Sequence, residues 1–269
     1  LKLVFSASLE RVSKLNPFRP PKSTKSGWTV HEYWTPAVHS LNNVWDAFAD
    51  RFEKIKKAKK IAFQVKEAKK FSDLKDDANV LIKTHSALDL SFIPDNSVDY
   101  VFTDPPYGGS IQYYELDFFR IAWLRGEHND SRFNLYWWKD EITINPQQRK
   151  TFDYYHTFLC AAFREIFNKM KPGAYMTVTF HSTNIKVYNS IIRAAVYSGF
   201  KLEQIVYQPP AVRSAKASLH PYTSASGDYY IRFVKPHISR QIFTEQEIDV
   251  MRFERVVIET VKGIIAERG

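Results

Sequence analysis

The chain has 269 residues, of which 44% are hydrophobic and 25% charged, so we expect a soluble globular protein with a sizeable core. Its net charge of +9 favours a polyanionic partner such as nucleic acid, although charge alone is equally consistent with simple solubility. A single cysteine, Cys160, argues against disulfide scaffolds and cysteine-based metal sites, and without a membrane-length apolar run or a signal peptide we expect a cytoplasmic location.

Residues 1–79 carry helix and loop signals. Apolar residues at helical spacing from Val4 to Leu15 predict a first helix, followed by a proline-rich, aromatic loop that extends to residue 39. Asn42 or Asn43 is placed to cap a second helix. The apolar face predicted for that helix contains Val44, Phe48, Phe52 and Ile55. Its lysine-rich continuation over residues 54–70 is either a solvated face or a surface that follows phosphates.

From residue 80 onward short apolar strands alternate with helices. The predicted strands are residues 80–84, 98–103, 175–180, 202–207 and 229–234, and the predicted helices are residues 111–124, 152–170 and 187–198. Stop signals end the last two helices, at residues 171–173 and at Gly199. This alternation predicts an α/β fold with a mostly parallel sheet, in which ligands bind beyond the carboxyl ends of the strands.

Three segments follow from these patterns. They are an N-terminal helical and loop segment (1–79), a core (80–236) and a C-terminal helical segment (237–269) that opens with Thr244 and Glu247 at capping-box spacing. The chain opens at Leu1 inside an apolar pattern and stops just after a helical stretch. We therefore expect it to be a piece of a larger protein.

The motif that most directly suggests a catalytic role is Asp104-Pro105-Pro106-Tyr107, which directly follows the predicted strand 98–103. Four residues are a weak signal alone, and a rigid proline turn after a strand is the plain alternative. The position favours a functional reading, because the motif lies where an α/β sheet places its active site.

This motif resembles the signature of the amino-methyltransferases that modify adenine or cytosine in DNA and, in related branches, RNA. The stretch 103–124 is similar to a bacterial and archaeal branch of adenine-specific DNA methylases, and weaker likeness extends to Asn43-Val44-Trp45 and Gly227-Asp228-Tyr229-Tyr230. The resemblance implies a Rossmann-like methyltransferase fold, S-adenosyl-L-methionine as the cofactor and DNA as the partner. Asp rather than Ser at position 104 resembles the adenine-directed members. The resemblance also suggests a role in restriction or phage defence.

The chemistry of such a reaction explains these residue types. The amino lone pair of adenine is delocalised into the ring, so two hydrogen-bond acceptors are needed to localise it. An ionised Asp104 and the carbonyl of Pro105 fit these roles, and Pro106 fixes their geometry. Tyr107 would stack on the base after it has left the helix.

The resemblance implies that Asp89 and Asp104 contact the cofactor, although a loop or capping role for Asp89 is equally consistent with its context. The sequence departs from the family in one respect, because its nine glycines form no Gly-x-Gly loop to cradle the cofactor. The first two strands of the usual sheet are also missing from residues 1–79. We therefore expect a fold that lacks its first strands and a separate chain or an upstream segment that supplies the loop.

The remaining candidates carry less weight. His181 and Ser182 follow the strand 175–180, where they would line the base pocket or, in the case of Ser182, cap the next helix. Arg213, Lys216 and Tyr222, with His220, lie in a polar loop that would contact DNA or be merely solvated. No metal-ligand spacing is present. Two rival functions stay open: an RNA amino-methyltransferase with the same motif, and a non-catalytic subunit that binds nucleic acid or a partner protein.

Overall fold

The computed structural model describes residues 1–18, 35–62, 65–75, 78–125, 133, 135–182, 184–209 and 227–237. The chain forms two compact units, of which unit 1 contains residues 1–86 and 106–155 and unit 2 contains residues 87–105 and 156–269. The predicted segments 1–79, 80–236 and 237–269 stay predictions. Contiguous sequence patterns do not reveal that residues 106–155 group with the N-terminal helices.

Among the described residues, three α-helices lie entirely within unit 1, namely α1 (Lys2–Val12), α2 (Val44–Ala62) and α3 (Tyr113–Arg125). The predicted cap of α2 is confirmed, since the Asn43 side chain accepts hydrogen bonds from the backbone N–H of Trp45 at 2.8 Å and of Asp46 at 3.2 Å. The predicted apolar face is wrong in part, because Val44 is 65% exposed whereas Ala47 is buried. α2 ends at Ala62, so residues 65–70 do not continue it as their lysine content suggested.

The predicted strand at residues 80–84 is wrong. Val80 forms only an isolated bridge with Glu67, and Ile82 is 68% exposed. An apolar run supplies β propensity, but a strand forms only where a neighbouring strand completes its ladder of hydrogen bonds.

Unit 2 is built on a four-stranded sheet of β1 (Val98–Thr103), β2 (Met170–Phe180), β3 (Lys201–Gln208) and β4 (Asp228–Val234) in the order β1-β2-β4-β3. β1 is parallel to β2, and β4 is antiparallel to both β2 and β3. Three of the four strands therefore point the same way. The α/β class is confirmed, and the sheet is mixed, because β1 and β2 pair in parallel whereas β4 pairs antiparallel with both of its neighbours.

Two described helices alternate with these strands in the chain: α4 (Phe152–Lys169) precedes β2, and α5 (Ile185–Tyr197) precedes β3. α5 ends as predicted at Gly199, whose φ of +105° allows the N–H groups of Gly199 and Phe200 to bond the last carbonyls of the helix. α4 ends earlier than predicted, at Lys169. The expected stop at residues 171–173 instead lies inside β2, where the register shifts between the Val98–Met170 and Tyr100–Tyr175 pairs.

The core of unit 2 lies against β2 and β4. Side chains that are almost fully buried there include Phe163, Met170, Met176, Val178, Phe180, Ile191, Ile231 and Phe233. Each contributes about 1.5–3 kcal/mol by leaving water. Edge-to-face contacts add to this packing, with ring centroids 5.0 Å apart for Phe167–Phe200 and also for Phe180–Tyr188.

Among the described residues, β1 forms the outer edge of this sheet and pairs with β2 alone. Its side chains Tyr100 and Phe102 are 53% and 60% exposed. In residues 1–97 the described part of the chain contains no strand. No helix in the described ranges is long and apolar enough to cross a membrane.

Candidate active site

The sheet of unit 2 places two candidate residues at one edge. Since β1 and β2 are parallel, their carboxyl ends meet at the same edge, where Asp104 follows β1 and His181 follows β2. Asp104 is exposed and Pro105 is buried. No described residue donates a hydrogen bond to the Pro105 carbonyl. Both acceptors that the sequence singled out thus come from consecutive residues at the end of one strand.

The second half of the motif belongs to unit 1, and its backbone is held firmly. The Pro106 carbonyl accepts two hydrogen bonds, one from the hydroxyl of Tyr155 at 2.6 Å and one from the N–H of Gly108 at 3.0 Å. Tyr155 is fully buried, and burial raises the pKa of its phenol well above the ordinary range. The hydroxyl therefore stays protonated and remains a donor.

A neighbouring loop supports the two glycines that follow Tyr107. The Ile144 N–H donates to the Gly108 carbonyl at 3.1 Å, and the Gln112 side-chain amide donates to the Ile144 carbonyl at 2.9 Å. The approach is close, because a Cβ added at Gly109 would lie 2.9 Å from the Ile144 oxygen. Position 109 therefore needs glycine for space.

Asn145 ties this loop to α3. It is 2% exposed, and its Nδ2 donates to Gln112 Oε1 at 2.9 Å and to Glu115 Oε1 at 2.8 Å. Its Oδ1 accepts from the backbone N–H of Gln148 at 3.2 Å, which caps the short 3₁₀-helix Pro146–Gln148. Every polar atom of this side chain therefore forms a hydrogen bond, with Gln112, Glu115 or Gln148.

Glu141 and Lys150 complete the support. A Glu141 carboxylate oxygen accepts from the Tyr114 N–H at 3.0 Å in the first turn of α3, and burial raises the pKa of Glu141. The Lys150 ammonium donates to the carbonyls of Glu141, at 2.7 Å, and Trp138. Desolvation lowers the pKa of Lys150. These polar groups stabilise the loop 137–150.

A groove of about 510 Å³ lies beside α3 in unit 1, with Tyr113, Asp117, Trp137 and Glu141 among its lining residues. None of the site residues predicted from the sequence lines it. Burial raises the pKa of Asp117, whose carboxylate accepts from Arg120 at 3.2 Å. The residues that line the groove are therefore different from those of the motif.

Asp89 lies in an irregular segment of unit 2 before β1, and its side chain is exposed. Its Oδ1 accepts from the Ser91 N–H at 3.0 Å, a turn typical of aspartate. The strand expected before it is not formed, so the structural premise for its cofactor role is weaker than the sequence suggested. Asp89 remains a candidate on the resemblance alone.

His181 and Ser182 lie in the connection between β2 and α5. The Nδ1 of His181 lies 2.7 Å from the Gly227 carbonyl, which requires the proton on Nδ1, and 3.5 Å from Asp228 Oδ1. Ser182 does not cap α5. The cap is Asn184, which accepts from the Lys186 N–H at 2.9 Å, while the Ser182 hydroxyl accepts from the N–H of Asn184. Asn competes well with Ser for the cap position.

The predicted nucleic-acid contacts Arg213, Lys216 and Tyr222 lie outside the described residues, as does nearly all of the segment 237–269. Within the described ranges, no group of three or more His, Cys, Asp or Glu side chains could hold a metal ion.

Sequence reasoning missed Tyr155 and Asn145. Tyr155 occurs within a helical apolar pattern, and nothing local indicates that its hydroxyl reaches a carbonyl 49 positions away. A signal for Asn145 was present, since Asn before Pro is typical of a cap followed by the first residue of a short helix.

Comparisons with known proteins give structural matches only. No protein-family model matches the chain, and a search of curated proteins finds no match. A Thermus thermophilus protein named as a DNA modification methylase, solved with S-adenosyl-L-methionine, is 15% identical with a TM-score of 0.33; the match covers 61% of this chain and 56% of that protein. PvuII DNA methyltransferase, which is cytosine-N4-specific, is 14% identical with a TM-score of 0.36, covering 58% of this chain and 49% of that protein.

The cyclase SpnF also matches, with 12% identity, a TM-score of 0.31 and coverage of 58% of this chain and 55% of that protein. The chain spans about half the length of these solved structures. Because TM-scores this low accompany both methyltransferases and a cyclase, the likeness does not decide the activity.

Proposed function

We propose that the chain carries the catalytic motif of an S-adenosyl-L-methionine-dependent methyltransferase that methylates the exocyclic amino group of adenine in DNA. The observation that carries the proposal is the position of Asp104-Pro105-Pro106-Tyr107. It begins immediately after β1, at the carboxyl edge of the sheet, where α/β proteins bind their ligands.

The hydrogen bonds of the motif support specific roles for its acceptors. The Pro106 carbonyl already accepts from Tyr155 and Gly108, so both of its lone pairs are engaged. The Pro105 carbonyl has no donor among the described residues and stands next to Asp104 in the chain. Asp104 and the Pro105 carbonyl would accept the two amino hydrogens of the target base and so direct its lone pair toward the methyl donor.

Tyr107 would hold the displaced base by stacking. Its side chain is half-buried, and its backbone carbonyl accepts from the Ser110 N–H at 3.2 Å. A base must leave the duplex to reach such a site, and an aromatic face offsets part of the stacking that is lost. The net charge of +9 suits the phosphates that flank the base.

The described residues fit only part of a cofactor site. S-adenosyl-L-methionine supplies an electrophilic methyl group on its sulfonium, and the carboxylates of Asp89 and Asp104 suit its hydrogen-bond donors. A close backbone cradle would normally need glycine, and no Gly-x-Gly occurs in the sequence. We propose that a further segment or a separate chain supplies that cradle.

The test is Asp104→Ala in the full-length protein, assayed by transfer of labelled methyl from the cofactor to duplex DNA. The change should abolish transfer and leave the fold intact, because the exposed side chain follows a strand rather than filling the core. Asp99→Ala is the matched control, since Asp99 lies on the same strand and forms an exposed ion pair with Lys171 at 2.5 Å. Near-normal transfer by the Asp104 variant would refute the mechanism.

A second measurement, of nucleic-acid binding, distinguishes DNA methylation from the RNA alternative. Binding to duplex DNA should weaken steeply as salt increases, because phosphate contacts release counterions. Tight binding of structured RNA, with duplex DNA unbound at low salt, would instead favour an RNA methyltransferase. Binding without any methyl transfer in the presence of all partners would favour the non-catalytic subunit.

A further inference from the structure

We infer that Tyr155 is a positioning residue for methyl transfer, which fixes the motif by occupying the carbonyl of Pro106. The inference rests on the proposed function. It assigns a role to a residue outside the four-residue motif that does not touch the base or the cofactor.

The first observation is geometric. The Tyr155 hydroxyl donates to the Pro106 oxygen at 2.6 Å, a short bond for a neutral donor, and the ring is fully buried. The donor is therefore held in one place by packing, and the acceptor belongs to a proline whose φ is already restricted. Together they fix the orientation of the peptide plane that follows Pro106.

The second observation is that the same carbonyl accepts from the Gly108 N–H at 3.0 Å. Gly108 adopts a φ of +64°, and its own carbonyl accepts from Ile144. The turn that presents Tyr107 is therefore closed by Gly108 and held from outside by Tyr155 and Ile144. Without the phenolic hydroxyl, the turn keeps its internal bond but loses its hydrogen bond to Tyr155.

The consequence concerns the neighbouring acceptor. Rotation of the Pro106 peptide would carry Tyr107 with it and would offer the base a second carbonyl beside that of Pro105. Occupation of the Pro106 oxygen prevents this competition, so that the amino group meets one carbonyl and the Asp104 carboxylate. Such positioning affects the reacting geometry more than the binding of either substrate.

The experiment compares Tyr155→Phe with Tyr154→Phe in the full-length protein. Both changes remove one phenolic hydroxyl from adjacent positions of α4, but the Tyr154 hydroxyl donates to the Lys139 carbonyl, at 3.0 Å, rather than to a carbonyl of the motif. The measured quantities are kcat and the KM values for DNA and cofactor, at a temperature where circular dichroism shows all proteins folded.

We expect kcat of Tyr155→Phe to fall by about tenfold to a hundredfold, with KM values within about twofold of wild type. Tyr154→Phe should retain wild-type values. A wild-type kcat in Tyr155→Phe, or an equal loss in both variants, would overturn the inference. An inactive wild-type protein on DNA would count against the proposed function instead.

If Tyr155→Phe does not fold, Gly109→Ala tests the same loop from its other side. The added Cβ would meet the Ile144 oxygen at 2.9 Å and displace the turn. The same pattern, a lower kcat with KM nearly unchanged, is expected. An unchanged kcat in this variant would show that the position of the turn does not matter.

Discussion

Replacement of Asn145 tests whether the loop behind the motif is held as the contacts indicate. Asn145→Ala removes two hydrogen bonds donated to Gln112 and Glu115 and one accepted from Gln148. A neutral hydrogen bond contributes about 0.5–1.5 kcal/mol and one to a charged group about 1.5–3 kcal/mol. We expect a loss of about 3 kcal/mol in the free energy of unfolding. This value is near the low end of the sum of the three bonds, because the Gln148 N–H also bonds the Asn145 backbone carbonyl and keeps that partner in the variant.

Asn145→Asp keeps the shape of the side chain but replaces the donor Nδ2 with a carboxylate oxygen. In the wild-type protein this Nδ2 lies 2.8 Å from Glu115 Oε1, so the variant places two carboxylates next to each other. Coulomb's law gives a cost of about 6 kcal/mol for like charges at this separation, at the effective dielectric of a protein surface. The Asn145→Asp variant should therefore be less stable than Asn145→Ala at pH 7. Repulsion raises the folded-state pKa of the new carboxyl, so stability should recover as the pH falls toward 4.

Urea denaturation followed by circular dichroism, at pH 7 and at pH 4.5, measures both effects. Asn42→Asp is the control, since Asn42 is exposed and donates only to the Arg11 carbonyl among the described residues, so its loss should be about 1 kcal/mol or less. An Asn145→Asp protein as stable as Asn145→Ala at neutral pH, or one without recovery in acid, would refute the assigned contact with Glu115.

Four further outcomes are expected. Tyr107→Ala should lower methyl transfer about tenfold to a hundredfold, whereas Tyr107→Phe should be mild, because stacking needs the ring and not the hydroxyl. Lys235→Met should cost about 3 kcal/mol in urea unfolding, since the buried ammonium donates to the Phe167 and Met170 carbonyls, each at 2.8 Å. Burial raises the pKa of Tyr188 to about 12. The stability that comes from keeping this phenol protonated in the folded state is complete below pH 10 and should be lost as the pH rises toward 12. Tyr188→Phe should weaken this dependence of stability on pH. Calorimetric titration should detect no micromolar binding of S-adenosyl-L-methionine by these 269 residues alone, because their sequence lacks a Gly-x-Gly loop.

Local signals in the sequence were sufficient for the elements of unit 2. β1 and β2 were predicted because apolar runs were bounded by turn residues, and the end of α5 because Gly199 stands where a left-handed residue is needed. The same reasoning failed at residues 80–84, where the run is apolar but no described strand lies alongside to pair with it. Pairing depends on distant parts of the chain, which a local window does not contain.

The candidate site was likewise predicted only in part. Asp104 and Tyr107 were found because the motif is contiguous and follows a strand. The residues that hold it were not found, because Tyr155 and Asn145 contact the motif region across 49 and 30–33 positions respectively. Their residue types are ordinary for a helix and a turn, and only the folded chain reveals which carbonyl or carboxylate each one meets.

Two successive prolines limit the hydrogen bonds that the motif can form, and this limit argues for one choice of acceptors. Neither proline has an N–H group, so residues 105 and 106 offer only carbonyls. The Pro106 carbonyl is saturated by Tyr155 and Gly108, which leaves the carbonyl of Pro105. That carbonyl and the Asp104 carboxylate come from consecutive residues of unit 2 at the end of β1. The two proposed acceptors therefore come from one strand end, where consecutive residues keep them close together along the chain.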